Sequence, residues 1–118
     1  MNANLTSQNK QWQTICSRRD LVANSGVCAL IEDSRQVAIF QVENGSEHLY
    51  AIGNYDPIGK ANVLYRGIVG CVKEEPVVAS PLYKQHFSLI TGKCIQDQGI
   101  QVDVFPVRLE NDQVQLLV

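Results

Sequence analysis

The 118-residue chain has little of several features that would point directly to a function. It contains no apolar run of the roughly 18 residues that a membrane-spanning helix needs. Lysine and arginine total 10 against 12 acidic residues, and a net charge of −2 differs from the clearly basic balance of most nucleic-acid-binding domains. Aromatic residues make up only 7%, too few for a surface that stacks on single strands. We therefore expect neither a membrane nor a nucleic-acid partner.

The cysteines and histidines are few and widely spaced. No two cysteines form the CxxC pair of zinc ribbons or thioredoxin-like proteins, and His48 and His86 lack the HxxxH spacing. We interpret the cysteines as small, mostly buried side chains and leave open a metal site built from distant cysteine and histidine residues. The four cysteines are Cys16, Cys28, Cys71 and Cys94.

The amino-terminal segment is polar and lacks the apolar region of a secretory signal peptide. We expect residues 1–10 to be a disordered tail. Residues 11–118 are expected to form a single domain, because domains of about 100–150 residues are the commonest size. A cytoplasmic location is the default expectation without a targeting segment.

Short β-rich runs separated by turn residues dominate the chain, which is typical of a small sandwich or barrel. Asn44-Gly45 predicts a hairpin because both residues accept positive φ. Towards the carboxyl terminus, Ile100, Val102 and Val104 are expected to face inward, before a final hairpin that turns at Asn111-Asp112. The other strands are expected at residues 12–16, 28–32, 37–42 and 48–52, with a later one at 86–90.

The connections are marked by glycine, proline and capping residues. Ser17 is expected to cap one helical turn over residues 17–21. Residues 24–26 (Asn-Ser-Gly) are expected to break the chain. Residues 53–85 are expected to be mostly loop, with a brief apolar run at 77–79.

Catalytic motifs are absent from the sequence. The segment from Gly53 to Gly59-Lys60 is one residue too long for a P-loop, and Ala61 replaces the Ser or Thr that would hold magnesium. Neither GxGxxG nor GxSxG occurs. We therefore expect no catalytic residue in this chain.

Two segments, residues 53–59 and 79–94, carry a family resemblance. The second contains a loop proline followed by an F-x-L-x-T-G hairpin, and in both respects the chain resembles the Rieske ferredoxin family. The matching residues are Pro81, Phe87, Leu89, Thr91 and Gly92. The resemblance covers roughly residues 11–118 and implies an all-β, Rieske-like fold. That fold is a small antiparallel β-sandwich or barrel with an inserted loop-rich subdomain.

The cluster ligands of that family are replaced in this chain. The family supplies Cys-x-His from one loop and Cys-Pro-x-His from the other. Asn54 and Asp56 stand at the first pair of positions, and Ser80 and Tyr83 at the second. A Rieske [2Fe–2S] centre needs two thiolates and two imidazoles, and hard oxygen or amide donors do not suit it. The resemblance therefore implies a domain lacking the cluster.

Residues 59–70 and 78–87 are similar to the family of small subunits of assimilatory NAD(P)H nitrite reductases. This resemblance implies an accessory subunit in nitrate and nitrite assimilation. It would associate with a large catalytic subunit that carries FAD, sirohaem and an iron–sulfur cluster and reduces nitrite to ammonium. No catalytic, cofactor or metal residue is implied in this chain, and the choice between NADH and NADPH would belong to the partner.

The two former ligand loops are interpreted as a recognition tip. Tyr55, Tyr83 and Lys84 are candidate contacts, since tyrosine is enriched at interfaces and lysine suits a rim. The alternative is that these loops only pack, with Asn54, Asp56 and Ser80 hydrogen-bonding across the missing cluster.

Two other functions stay open. The first is a stand-alone binding module on the same scaffold. The second is an electron carrier whose metal ligands would come from new positions, namely Cys71, Cys94 and His86.

Overall fold

A computed structural model describes residues 10–31, 34–44 and 46–118. The expected tail at residues 1–10 therefore lies outside the described residues except for Lys10. Strands dominate, and 3₁₀ turns occur at Arg18–Asp20 and Leu64–Arg66. The strands are β1 (Trp12–Ser17), β2 (Ser25–Leu30), β3 (Gln36–Asn44), β4 (Ser46–Gly53), β5 (Tyr55–Asp56), β6 (Ala61–Asn62), β7 (Ile68–Val72), β8 (Glu75–Ala79), β9 (His86–Ser88), β10 (Val104–Phe105), β11 (Val107–Glu110) and β12 (Gln113–Leu117).

Two antiparallel sheets form a sandwich. One has the strand order β1-β12-β11, and the other has the order β10-β4-β3-β2. Alternate residues of β3 enter different cores, because successive side chains of a strand point to opposite faces. Val37 and Ile39 pack in the sandwich core with Val114 and Leu116 of β12. This layered, all-β architecture confirms the expected fold class.

The segment between β4 and β10 covers the other face of the four-stranded sheet. It contains the β5–β6 hairpin and a sheet with the strand order β7-β8-β9. Ala38 and Phe40 of β3 meet Val78 and Phe87 of this inserted subdomain in a second buried core. The middle strand is therefore buried on both faces, and the inserted subdomain is held on apolar contacts.

The predicted hairpins and cap are present. β3 and β4 pair from Val37 opposite Gly53 to Asn44 opposite Ser46. Of the expected turn, Gly45 lies outside the described residues. Asn111 and Asp112 have φ of 54° and 63° and turn β11 into β12. Ser17 caps the first 3₁₀ turn by accepting a hydrogen bond from the backbone N–H of Arg19.

The expectation of loops across residues 53–85 is wrong in part. β7 and β8 each contain five residues and pair there as a hairpin. The apolar run expected at residues 77–79 belongs to β8. The strand at Ile68–Val72 was not predicted, because a glycine such as Gly70 inside a short apolar run is typical of a turn. Inserted loops and strands therefore alternate in this subdomain.

Three further expectations also need correction. Gly26 lies inside β2, where a Cβ would come within 2.6 Å of the Phe40 ring, so this glycine serves close packing and not a turn. β9 ends at Ser88 instead of residue 90. Val104 is 40% exposed, because the chain between residues 100 and 103 is not a regular strand and the period of two does not carry through.

Within the residues that the structure describes, no helix has the length and apolar character to cross a membrane.

Candidate functional site: two joined loops at the former ligand positions

Two loops of the inserted subdomain meet at the former ligand positions. The first follows β4 and includes residues 53–60, and the second joins β8 to β9 over residues 80–85. Two backbone hydrogen bonds close the second loop: Ser80 N–H donates to Gln85 O at 2.8 Å, and Lys84 N–H donates to Ser80 O at 3.0 Å. Lys84 adopts a φ of 66° to complete this tight reversal. The loop is therefore set by its own backbone.

Asp56 joins the two loops. Its buried carboxylate accepts hydrogen bonds from the backbone N–H groups of Ile58 at 2.8 Å and Gly59 at 3.0 Å, which fixes the first loop. Its other oxygen accepts from the Ser80 hydroxyl at 2.5 Å. Ser80 Oγ also accepts from Leu82 N–H at 3.3 Å, which orders the second loop. Two former ligand positions thus form a direct bridge between the loops.

Asn54 fixes the base of the first loop. Its side-chain oxygen accepts from Tyr65 N–H at 2.8 Å, and its side-chain nitrogen donates to Gln36 Oε1 at 3.0 Å. The same nitrogen lies 3.6 Å from Cys28 Sγ, and partial desolvation raises the pKa of this thiol although the residue as a whole is exposed. The side chain of Asn54 is fully buried. It therefore links β3 to the second 3₁₀ turn.

Close packing reinforces the bridge. A Cβ at Gly59 would lie 2.4 Å from Leu82 Cδ1 and 2.9 Å from Asp56 Oδ2, so a larger residue would displace Leu82 and crowd the carboxylate that joins the loops. Sequence reasoning missed this contact, together with the contacts of Gln36, Cys28 and Tyr65 to Asn54. The signal that could have found it is the glycine three residues after an aspartate, a pattern that suits an Asp side chain bonded to its own loop.

The fourth former ligand position is different, because Tyr83 is 65% exposed. Leu82 on the same loop is 44% exposed. Tyr55 of the first loop is 49% exposed and lines a separate groove with Asp103, because successive side chains of a strand point to opposite faces and its neighbour Asp56 faces the second loop. Lys60 and Lys84 are exposed on the same two loops, and neither takes part in an ion pair among the described residues. The tip therefore combines apolar surface with positive charge.

The side chains at this site do not fit a [2Fe–2S] cluster. Asn54, Asp56 and Ser80 are buried and use their polar atoms on one another or on the backbone. Among the described residues, Gln85 Oε1 is buried without a hydrogen-bond partner. This amide oxygen is too hard a ligand for the iron of such a cluster. Hydrogen bonds join the two loops directly where the family holds its cluster.

The alternative metal site from Cys71, Cys94 and His86 is not assembled. Cys94 is buried in the second core, and Gln96 lies between it and His86. Cys71 is exposed on β7. Across the described ranges, no three His, Cys, Asp or Glu side chains are grouped closely enough to hold a metal ion.

The fold and the two joined loops define a Rieske-type domain whose ligand positions carry oxygen and amide side chains. The family model described as a Rieske-like [2Fe-2S] domain matches residues 11–117. The nitrite reductase (NADH) small subunit of Salmonella typhimurium is 42% identical over 106 residues, which cover 90% of this chain and 96% of that protein. The chain belongs to the Rieske-like [2Fe-2S] domain family and, within it, to the nitrite reductase small subunits.

Two further comparisons bear on the assembly and the fold. The Escherichia coli protein NirD, solved by NMR, matches with a TM-score of 0.81 and 41% identity over 91% of this chain and 96% of that one. A Klebsiella oxytoca protein named nitrite reductase [NAD(P)H] large subunit is 36% identical over 105 residues. That match covers 89% of this chain but only 11% of the larger protein. A domain similar to this chain thus also occurs inside a large subunit.

Proposed function

We propose that this chain is the accessory small subunit of an NAD(P)H-dependent assimilatory nitrite reductase, which reduces nitrite to ammonium. It acts by association with the catalytic large subunit and supplies no reacting group. The FAD, sirohaem and iron–sulfur cluster of the complex belong to the large subunit. In this proposal the small subunit binds and stabilises its partner.

The observation that carries the proposal is the pair of relatives. A separate small subunit is 42% identical to this chain, and a similar domain is part of one polypeptide named as a large subunit in Klebsiella oxytoca. A domain that is covalently joined to the large subunit in one organism is placed to bind it non-covalently in another. Covalent attachment also raises the effective concentration of the domain, so the separate chain needs a higher intrinsic affinity to stay bound.

The tip is our candidate for that surface. Leu82 and Tyr83 offer exposed apolar area on the second loop and Tyr55 on the first, and Lys60 and Lys84 add positive charge to the two loops. Interfaces commonly place aromatic side chains at the centre and charged ones at the rim. The Asp56–Ser80 hydrogen bond holds both loops in place before binding, so less side-chain and loop entropy is lost when the complex forms.

A pull-down tests the proposed assembly. The tagged chain is expected to recover a large flavoprotein from cells grown on nitrite, and the eluate is expected to reduce nitrite with NADH or NADPH. Recovery of the chain alone, under conditions where that flavoprotein is abundant, would support a stand-alone binding module and contradict the proposal.

A paired substitution tests the tip. Tyr83→Ala with Lys84→Asn is expected to weaken binding to the purified large subunit by about tenfold or more, because central aromatic contacts carry much of the binding energy. Asparagine is chosen because it tolerates the positive φ of Lys84. The matched control is Leu30→Ala with Lys93→Asn, since Leu30 is also 65% exposed but lies on β2. Equal affinities for the two variants would reject the tip as the interface.

A further inference from the structure

A groove of about 590 Å³ lies between the four-stranded sheet and the β7–β8 hairpin. Its apolar floor and polar rim are separate from the two loops of the tip. Three of its lining residues, Val69, Gly70 and Cys71, are consecutive on β7. Consecutive residues of a strand point to opposite faces, so a groove lined by all three runs along the edge of that strand. The floor is formed by Val42, Tyr50, Val69 and Pro76.

One edge of β7 has no paired strand among the described residues. Among the described residues β7 pairs with β8 alone, because the sheet order is β7-β8-β9. Its five residues, Ile68–Val72, contain no charge and no proline, the features that usually protect a sheet edge from pairing. Ile68 is 73% exposed, and a Cβ at Gly70 would meet nothing within 4 Å. The strand thus resembles the edges that accept an extended peptide.

The rim of the groove is acidic. Glu43 of β3 and Glu74 of the β7–β8 turn both line it and are exposed. Neither carboxylate takes part in an ion pair within the described part of the chain. A partner that fits this surface would combine apolar side chains for the floor with lysine or arginine for the rim, because opposite charges across an interface give orientation and specificity.

The edge of β7 begins next to the second loop of the tip. Ile68 pairs with Ala79, the residue immediately before the loop at residues 80–85. The strand therefore begins beside the tip and runs away from it to Glu74. One partner could contact both surfaces without a break.

We propose that the β7 edge and its groove bind an extended, lysine- or arginine-containing segment of the large subunit, which adds a strand to the β7-β8-β9 sheet. This inference rests on the proposed function and names a second surface for the same partner. The tip would supply the aromatic contacts, and the edge would supply main-chain hydrogen bonds.

Charge reversal tests the rim. Glu43→Lys with Glu74→Lys is expected to weaken binding of the large subunit by about tenfold or more, through like-charge repulsion. The control is Asp97→Lys with Glu110→Lys, which changes the net charge equally at exposed positions outside the groove and outside the two loops of the tip. Wild-type affinity in the groove variant, or an equal loss in both variants, would overturn the assignment.

Thiol footprinting tests occupancy of the edge. Cys71 and Cys28 are both exposed, but only Cys71 lies in the groove. In the wild-type complex, N-ethylmaleimide is expected to label Cys71 at least fivefold more slowly than in the free chain, while the ratio for Cys28 stays near one. Unchanged labelling of Cys71 in an intact complex would overturn this inference and leave the proposed function standing.

Two further outcomes are distinguishable. If the wild-type chain binds no large subunit at all, the proposed function fails and this inference fails with it. If sedimentation of the chain alone shows a dimer in which Cys71 is protected, the edge binds a second copy of this chain and the proposed occupant is wrong.

Discussion

At the scale of single residues, the former ligand positions are filled by side chains that satisfy one another. Asp56 accepts from two backbone N–H groups and from Ser80, and Asn54 uses both ends of its amide. Buried polar atoms need such partners, because an unpaired one costs about 1–3 kcal/mol. Hydrogen bonds therefore hold the loops at these positions.

Ser80→Ala tests this account of the bridge. The substitution should lower the free energy of unfolding by about 1–3 kcal/mol, because one buried oxygen of Asp56 loses its donor. The measurement is urea denaturation followed by circular dichroism. Ser46→Ala, at an exposed hydroxyl, should change the same quantity by less than about 0.5 kcal/mol. Equal effects of the two substitutions would argue against the bridge.

The same residues predict how the chain responds to iron. After anaerobic incubation with ferrous iron and sulfide, the desalted chain should hold far less than one iron per molecule and show no Rieske absorption bands. Oxygen and amide donors bind such a cluster poorly compared with thiolate and imidazole. A Rieske ferredoxin treated in parallel provides the control, and two irons per chain would contradict the prediction.

At the scale of elements, turns with positive φ determine where strands end. Gly92 has a φ of 79°, donates its N–H to Ser88 O and accepts from Val102 N–H, both at 2.9 Å. Asn111 and Asp112 adopt the same left-handed region in the final hairpin. The turn geometry at such positions helps to set the register of the segments that they join.

Gly92→Ala should cost more than about 2 kcal/mol, since the left-handed conformation alone costs a residue with a Cβ about 1–2 kcal/mol. The new Cβ would also lie 2.2 Å from Val102 O. Gly70→Ala is the matched substitution, because its Cβ would meet no atom within 4 Å. Thermal unfolding of both variants measures the difference, and similar melting temperatures would refute the argument.

Asp112→Gly should stabilise the final hairpin by about 0.5–1 kcal/mol. Glycine adopts the left-handed conformation without the steric cost that a Cβ brings, and this gain outweighs the larger conformational entropy of glycine in the unfolded chain. The ion pair lost with Arg18, at 3.9 Å between exposed groups, adds little. Asp112→Ala should lower stability, because alanine tolerates positive φ less well than aspartate. Calorimetric melting temperatures that rank alanine above glycine would show the turn account to be wrong.

At the scale of the whole molecule, one strand pair connects two cores. β3 and β4 contribute Ile39 and Ala51 to the sandwich core, and Phe40 and Ile52 to the core beneath the inserted subdomain. Shared strands make the two cores dependent on each other. Two residues far apart in sequence are also joined, since Gln11 and Val118 exchange backbone hydrogen bonds at 3.0 and 3.1 Å.

We therefore propose that residues 11–118 unfold as one domain. A chain that lacks residues 1–10 should show a single transition in differential scanning calorimetry, with calorimetric and van't Hoff enthalpies that agree. Its melting temperature should lie within about 2 °C of the full chain's. Two resolved transitions, or a large loss of stability on truncation, would contradict this proposal.

Sequence alone predicted much of the sandwich, because alternation and turn residues are local signals. Val114 and Leu116 face the core as the alternation predicts, and Asn111-Asp112 turns the final hairpin. The inserted subdomain was harder. Strand β7 contains Gly70, and Gly26 packs inside β2 although it resembles a break. Which role a glycine has depends on neighbours that are distant in sequence.

For the site, the sequence by itself determined which chemistry is missing, because the identities of Asn54, Asp56, Ser80 and Tyr83 decide what ligands can be offered. Only the tertiary structure decided what those residues do instead. It buries the first three in mutual or backbone hydrogen bonds and turns Tyr83 outward to the tip. It also places β7 at an open edge beside Glu43. Burial and pairing arise from contacts between distant segments, and no local pattern of residues encodes them.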